Sequence, residues 1–262
     1  MRFLLDTADA TTFEELVALG EAAHREGLDG LLLGRTVALP APLVAAAALA
    51  ARVPDLRLVV EETLGDRHPL ELAEETAVVD VASGGRALLV ARPAPGREAA
   101  FGEALDLLRR CFAAAPFRAE GPEWHVPANL EQNVHNPERR VRMTPAPVQP
   151  RLELWTAGAG RAEGAVRGLG HLLDEHEPWV ADESPASLGA PRARRERWDD
   201  AAALLSRLRE GRGAFGQDWA VVRAPLEAVA ELGAVVRPRI QLDRLPPGLE
   251  QFWNDERPWE RA

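Results

Sequence analysis

The sequence predicts an α/β fold, a single (β/α)8 TIM-type barrel with a long irregular insertion before the fifth strand and a shortened C-terminal part. Three observations carry this prediction. Short continuous apolar runs, the mark of strands buried on both faces, alternate along the chain with segments of helical period. Eight such runs can be traced, which favours a closed barrel over an open sheet. The length of 262 residues is close to the roughly 250 typical of such barrels, so residues 1–262 read as one barrel domain with an insertion at about 116–150.

The first strand is read at Arg2 to Leu5. Thr11 and Thr12 stand three residues before Glu14 and Glu15, the spacing of a capping box, so a helix starts there. Phe13, Leu16, Val17, Gly20 and His24 keep its period until Gly27 ends it, which places His24 in the buried stripe as a structural histidine. Leu31 to Leu33 form the second strand, Pro42 to Arg52 an alanine-rich helix, and Leu56 to Val60 the third strand. Pro69 suits a first helical position, with His68 entering or capping that helix. Leu72, Ala73, Thr76 and Val79 face inward, Glu71, Glu74 and Glu75 mostly outward, and Ser83-Gly84-Gly85 stops the helix. Ala87 to Val90 is the fourth strand. Phe101, Leu105, Leu108 and Phe112 trace one face of a fourth helix, in which Cys111 reads as a buried, inert thiol.

Between Pro116 and Pro150 the period disappears, and a segment of this length is either a lid or binding loop or a plain excursion. The fifth strand is read at Leu152 to Thr156, followed by a glycine turn and a short helix through Ala165, and the sixth at His171 to Leu173. A helix from Arg194 to Arg209 carries Trp198, Ala201, Ala202, Leu205 and Leu208 inward. Trp219 to Val222 is the seventh strand and Pro225 to Leu232 its helix. Val235 to Leu242 holds the eighth strand, although Pro238 argues against a fully paired position.

Composition excludes several chemistries. The net charge of −10 disfavours nucleic acid as a partner. All 31 cations are arginine, because the chain has no lysine, so a phosphate-loop lysine and a Schiff-base lysine are both impossible. One cysteine rules out an internal disulfide and a four-thiolate zinc site. No run of about 18 apolar residues marks a membrane span, the start turns acidic at Asp6, and the cytoplasm is the expected location.

In a barrel, chemistry sits just beyond the carboxyl ends of the strands. That rule brings Asp6, Thr7, Gly34, Arg35, Glu61, Glu62, Arg92, Ala157 to Gly160 and Asp174 to His176 to one rim. In Thr156-Ala-Gly-Ala-Gly160 the small residues let bare backbone amides approach an anion at a helix start. A tight packing turn is the other reading. His125 and His135 lie in the irregular segment and read either as substrate contacts or as the commoner solvated loop residues. His171, Asp174, Glu175 and His176 lack the spacing of a metal motif, so no metal is expected.

Three blocks resemble the bacterial luciferase-like monooxygenases. Asp66-Arg-His-Pro-Leu-Glu-Leu-Ala-Glu-Glu-Thr-Ala-Val-Val-Asp80 followed by Ser83-Gly-Gly-Arg86 looks like that family's third helix and turn. Pro147-Val-Gln-Pro150 followed by Leu154-Trp-Thr-Ala-Gly-Ala-Gly160 is similar to its strand and glycine turn, and Glu21 to Leu33 to its second unit. The resemblance covers about residues 13–170. It implies a flavin-dependent monooxygenase or oxidoreductase acting on a small organic substrate with reduced FMN and oxygen, a deazaflavin or no cofactor being the alternatives. It also implies a flavin reductase as partner and a homodimer formed through the second and third helices. Arg92, Thr156, Gly158, Ala159 and Gly160 become cofactor-binding candidates, and Arg35 and Glu62 catalytic ones. Where many members place a histidine after the second strand, this chain has Gly34-Arg35. Glu61 and Glu62 stand where small residues usually border the flavin, and a carboxylate there repels an anionic cofactor unless it faces away or pairs with Arg35 or Arg92. The rival reading is a cofactor-poor barrel of the same type acting as a binding or partner subunit.

Overall fold

The computed structural model describes residues 2–65, 67–113, 115–127, 135, 137–158, 169–174, 192–210 and 218–236. Its elements in chain order are β1 (Arg2–Asp6), α1 (Phe13–Glu26), β2 (Gly30–Leu33), α2 (Pro42–Ala50), β3 (Arg57–Leu64), α3 (Pro69–Ser83), β4 (Ala87–Pro93) and α4 (Glu98–Phe112). There follow β5 (Ala119–Glu120), β6 (His125–Val126), β7 (Glu153–Ala157), β8 (Gly170–Leu173), β9 (Arg192–Arg197), α5 (Ala201–Glu210), β10 (Asp218–Arg223) and α6 (Val229–Val236). Eight parallel strands close into a barrel in the order β1-β10-β9-β8-β7-β4-β3-β2.

Local sequence explains the first half well. Thr12 caps α1 by accepting a hydrogen bond from the Glu15 N–H at 3.1 Å, while the Glu15 carboxylate accepts from the Thr11 N–H at 2.7 Å. Gly27 ends the helix at φ 74°. At α3 the His68 ring nitrogen accepts from the Leu70 N–H at 3.1 Å, so that histidine is the helix cap. Cys111 is buried in α4, and burial pushes its thiol up to about 12, which leaves it protonated and inert.

Period-two alternation splits the strands between two cores. Leu4, Leu32, Val59, Leu88, Val90, Trp155, Ala157, Leu172, Ala193, Trp219 and Val221 fill the barrel interior. Their neighbours Leu5, Leu31, Leu33, Leu58, Val60, Leu89, Leu154, Ala220 and Val222 join the layer under the helices. The interior is plugged by two indoles, Trp155 and Trp219, meeting edge to face at 5.0 Å. Gly170 makes room for the first of them, because a Cβ there would lie 2.5 Å from the Trp155 ring.

Two expectations need correction. The seventh barrel strand in chain order is β9, which overlaps the start of the segment read as a helix, so that Trp219 to Val222 lies in the eighth, β10; Val235 and Val236, read as opening an eighth strand, belong to α6. The remaining residues of that supposed strand, 237–242, and the helix after β7 lie outside the described residues. Four of the six residues of β9 are arginine, so it offers no apolar run; Arg195 finds carboxylates on other elements, and Arg194 lies 3.6 Å from Glu196 of the same strand. His24 is exposed, since the buried stripe of α1 runs through Leu16, Leu19, Gly20, Ala22 and Ala23 and leaves the histidine on the solvent edge of the last turn.

The described parts of the insertion, 116–127 and 137–150, form a strap along α3 and α4. Its hairpin, β5 with β6, is docked by Glu103 of α4, whose carboxylate accepts from the N–H groups of Glu123 (3.1 Å) and Trp124 (2.8 Å). Phe117 and Val141 pair across it, and Gln149 ties its return to buried Asp80 (2.7 Å) and to the Ala87 carbonyl (2.7 Å). Arg86 locks the same end of the barrel by donating to the carbonyls of Ser83, Val53, Leu56 and Ala50 at 2.7–3.0 Å.

Candidate active site at the barrel mouth

The pleat that builds the interior core also builds the mouth. Two residues beyond an interior apolar side chain, each of six strands presents a charge: Leu4 leads to Asp6, Val59 to Glu61, Val90 to Arg92, Leu172 to Asp174, Ala193 to Arg195 and Val221 to Arg223. These six residues interlock. Arg195 donates to Asp6 at 3.0 Å and to Glu61, and its Nε lies 3.4 Å from Asp174. Arg92 donates through Nε to Glu61 at 2.8 Å and through both terminal nitrogens to Asp174 at 2.9 and 3.0 Å. Arg223 lies 3.4 Å from Asp6, which also accepts from the Ala8 N–H at 3.0 Å. In the ring of strands β9 stands opposite β3, so the Arg195–Glu61 pair crosses the full mouth.

The charges are balanced, three carboxylates against three guanidiniums, and they differ in exposure. The Asp6 side chain is 4% exposed and Glu61 14%, whereas Asp174 is 43% exposed. Burial works against the Arg92 charge, yet its bonds to Asp174 and the nearby Glu61 hold its pKa above the ordinary range. Burial would raise Asp174, but the hydrogen bonds from Arg92 and the charges of Arg92 and Arg195 keep its carboxyl below the usual value.

The sequence-predicted residues separate on this geometry. Arg92 joins the mouth, whereas Glu62, one step from Glu61, lies on the Val60 side of β3 in the layer outside the barrel. Glu62 is paired there with Arg35 at 3.1 Å, and that arginine is more than half exposed. Thr156 is fully buried on the outward face of β7, its hydroxyl 3.1 Å from the His171 ring. Gly158 ends β7 at φ 61°. Ala159 and Gly160, like Glu175 and His176, lie outside the described residues. Sequence reasoning missed Arg195, because β9 was read as helix, and Arg223, which follows the apolar run of β10; the signal for both was a charge two positions after an inward residue.

The mouth tests the implied cofactor directly. The glycine turn was expected to present bare amides, but a Cβ built on Gly158 would fall on the Arg92 guanidinium, so that side chain covers the turn. A guanidinium on a left-handed glycine fits an oxyanion. A planar ring over the barrel axis does not fit this arrangement, because Arg195 and Glu61 meet there. Two cavities, of about 580 and 290 Å³, lie beside the insertion among Arg110, Phe117, Arg118, Arg139 and Arg140.

Comparison with known proteins fits the barrel. A monooxygenase from Streptomyces bottropensis, RslO1, is 19% identical, with 90% of this chain and 97% of that one aligned at a TM-score of 0.69. The coenzyme F420 dependent tetrahydromethanopterin reductase of Methanopyrus kandleri is 12% identical over 90% and 97% of the two chains, at 0.68. The FMN complex of the oxygenating constituent of 3,6-diketocamphane monooxygenase from Pseudomonas putida is 15% identical over 80% and 71%, at 0.58. These likenesses concern the fold. No curated protein matches the sequence. The model of the luciferase-like monooxygenases matches residues 2–220, most of the chain, and the protein therefore belongs to that family.

Proposed function

We propose that the chain is an oxidoreductase of the luciferase-like type that acts on a small organic substrate with a reduced flavin or deazaflavin nucleotide, of which the mouth accommodates an anionic group and not the ring. The observation that carries this reading is Arg92 lying on the Gly158 turn at the carboxyl end of β7, a fixed cation and a glycine turn at the rim where barrels do their chemistry. The bound cofactor would supply the reducing equivalents, from a separate reductase if it is FMN. The chain's own residues would hold an anionic group and limit water at the mouth. Titration of the purified protein with oxidised and reduced FMN and with a deazaflavin, followed by absorbance and fluorescence, tests this: saturable binding of one of them supports it.

A second reading, a cofactor-free subunit, is favoured by the Arg195–Glu61 pair across the axis. Absence of binding to every flavin and deazaflavin would select it.

The assembly we propose is a homodimer through α2 and α3. From Val37 to Ala51 no residue is charged, and Val44, Val78 and Val81 stay exposed on these helices. In a chain of net charge −10 this is a face that two copies can join without like-charge repulsion. Light scattering at micromolar concentration should give twice the chain mass; a monomer removes the proposal. Among the described residues no helix is long and apolar enough to cross a membrane.

A further inference from the structure

We infer that the mouth is an exchangeable oxyanion site in which Asp174 occupies, on Arg92, the place of a ligand carboxylate or phosphate. The inference does not require the redox reading, because it concerns the chain's own charges.

Arg92 is held at its Nε by Glu61, which leaves the two terminal nitrogens as a fork, and the fork is filled bidentately by Asp174 at 2.9 and 3.0 Å. This is the geometry by which arginine recognises any planar oxyanion. Asp174 is the most accessible of the three carboxylates and sits just past the last residue of β8, whereas Asp6 and Glu61 lie within strands, almost covered. When Asp174 turns away, two carboxylates face three guanidiniums, and the mouth is left one negative charge short. A small organic anion restores the balance without a new arginine having to be desolvated, and the fork is already oriented. Gly158 beneath the guanidinium adds no side chain to obstruct the approach. The shared chemistry is an oxyanion; its source is a substrate carboxylate or the phosphate of a nucleotide cofactor.

The test is calorimetric titration of the full chain with succinate, inorganic phosphate, FMN and riboflavin, comparing wild type with Asp174→Asn and with Asp174→Asn/Arg92→Gln. Asp174→Asn loses the competing charge and should bind at least one anion about tenfold more tightly, and Arg92→Gln in that background should cancel the gain. A gain for succinate without one for FMN identifies a substrate carboxylate. A gain for FMN that riboflavin does not share identifies the cofactor phosphate. The inference is overturned if no anion binds more tightly to Asp174→Asn, or if the gain survives loss of Arg92. Failure of the redox reading is separate: neither FMN nor riboflavin binds any form. Circular dichroism confirms folding, and Asp174→Ser serves the same comparison if the asparagine variant is unstable.

Discussion

Replacing Arg195 by methionine tests whether the charges at the mouth act as one structure. The side chain is 21% exposed and contacts Asp6, Glu61 and Asp174, on three other strands or their ends. At the 3.0 Å separation from Asp6, the direct attraction at an effective dielectric of about 20 is roughly 5 kcal/mol. Desolvation offsets much of that, and the partners are not stripped. Asp6 keeps Arg223 and the Ala8 amide, and Glu61 and Asp174 keep Arg92. The net loss should therefore be about 2–3 kcal/mol, below the 3–5 of an ion left alone in a core. With a urea slope of about 2–3 kcal/mol per molar, the midpoint falls by roughly 1 M. Glu61→Gln made alone and in the Arg195→Met background completes a double-mutant cycle, and the coupling across the barrel should be about 1 kcal/mol. A midpoint shift below about 0.3 M together with zero coupling would show that no pair spans the mouth, and the reasoning built on it would fail.

Three further outcomes follow from the geometry. Arg86→Ala, which strands the carbonyls of Ala50, Val53, Leu56 and Ser83, should lower unfolding stability by about 3 kcal/mol in urea while leaving anion binding unchanged; a loss under about 1 would contradict the lock. Gly158→Ala combines a left-handed backbone with a Cβ on Arg92, so stability should fall by about 1–2 kcal/mol, and a crystal structure should show the guanidinium displaced from Asp174. Because the Asp174 carboxyl is held below its ordinary value in the fold, its contribution is present above about pH 4 and disappears as pH falls through the lower, folded value. The acid limb of a stability-against-pH curve should accordingly be shallower in Asp174→Asn, and an unchanged limb would count against the pairing.

Helix signals in this chain are strong and local, which is why α1, α3 and α4 were legible. Thr12 with Glu15, Pro69, and Gly27 and Gly84 act within one turn of their own position. The strands of the first half are equally plain, since Leu31 to Leu33 and Leu58 to Val60 are apolar on both faces. β9 was not legible because it lacks an apolar run and its inward arginine, Arg195, is made tolerable by carboxylates far away in sequence, Asp6 and Glu61. The rim rule reached Asp6, Glu61, Arg92 and Asp174, but the same distance hid their pairing with Arg195 and Arg223. That Glu61 faces inward and Glu62 outward follows from pleat parity once Val59 is known to be interior, but which carboxylate meets which arginine depends on barrel closure, and no single segment encodes it.

The absence of lysine gives the mouth a directional character. A guanidinium is held above its ordinary range at Arg92, where the bonds to Asp174 and Glu61 outweigh burial, so that this group keeps its charge in base. Its partner Asp174 can take up a hydrogen ion, so the charge of this pair shifts only toward the positive. Acid and alkali are thus unequal perturbations of the Arg92–Asp174 pair, the former parting it and the latter leaving it intact.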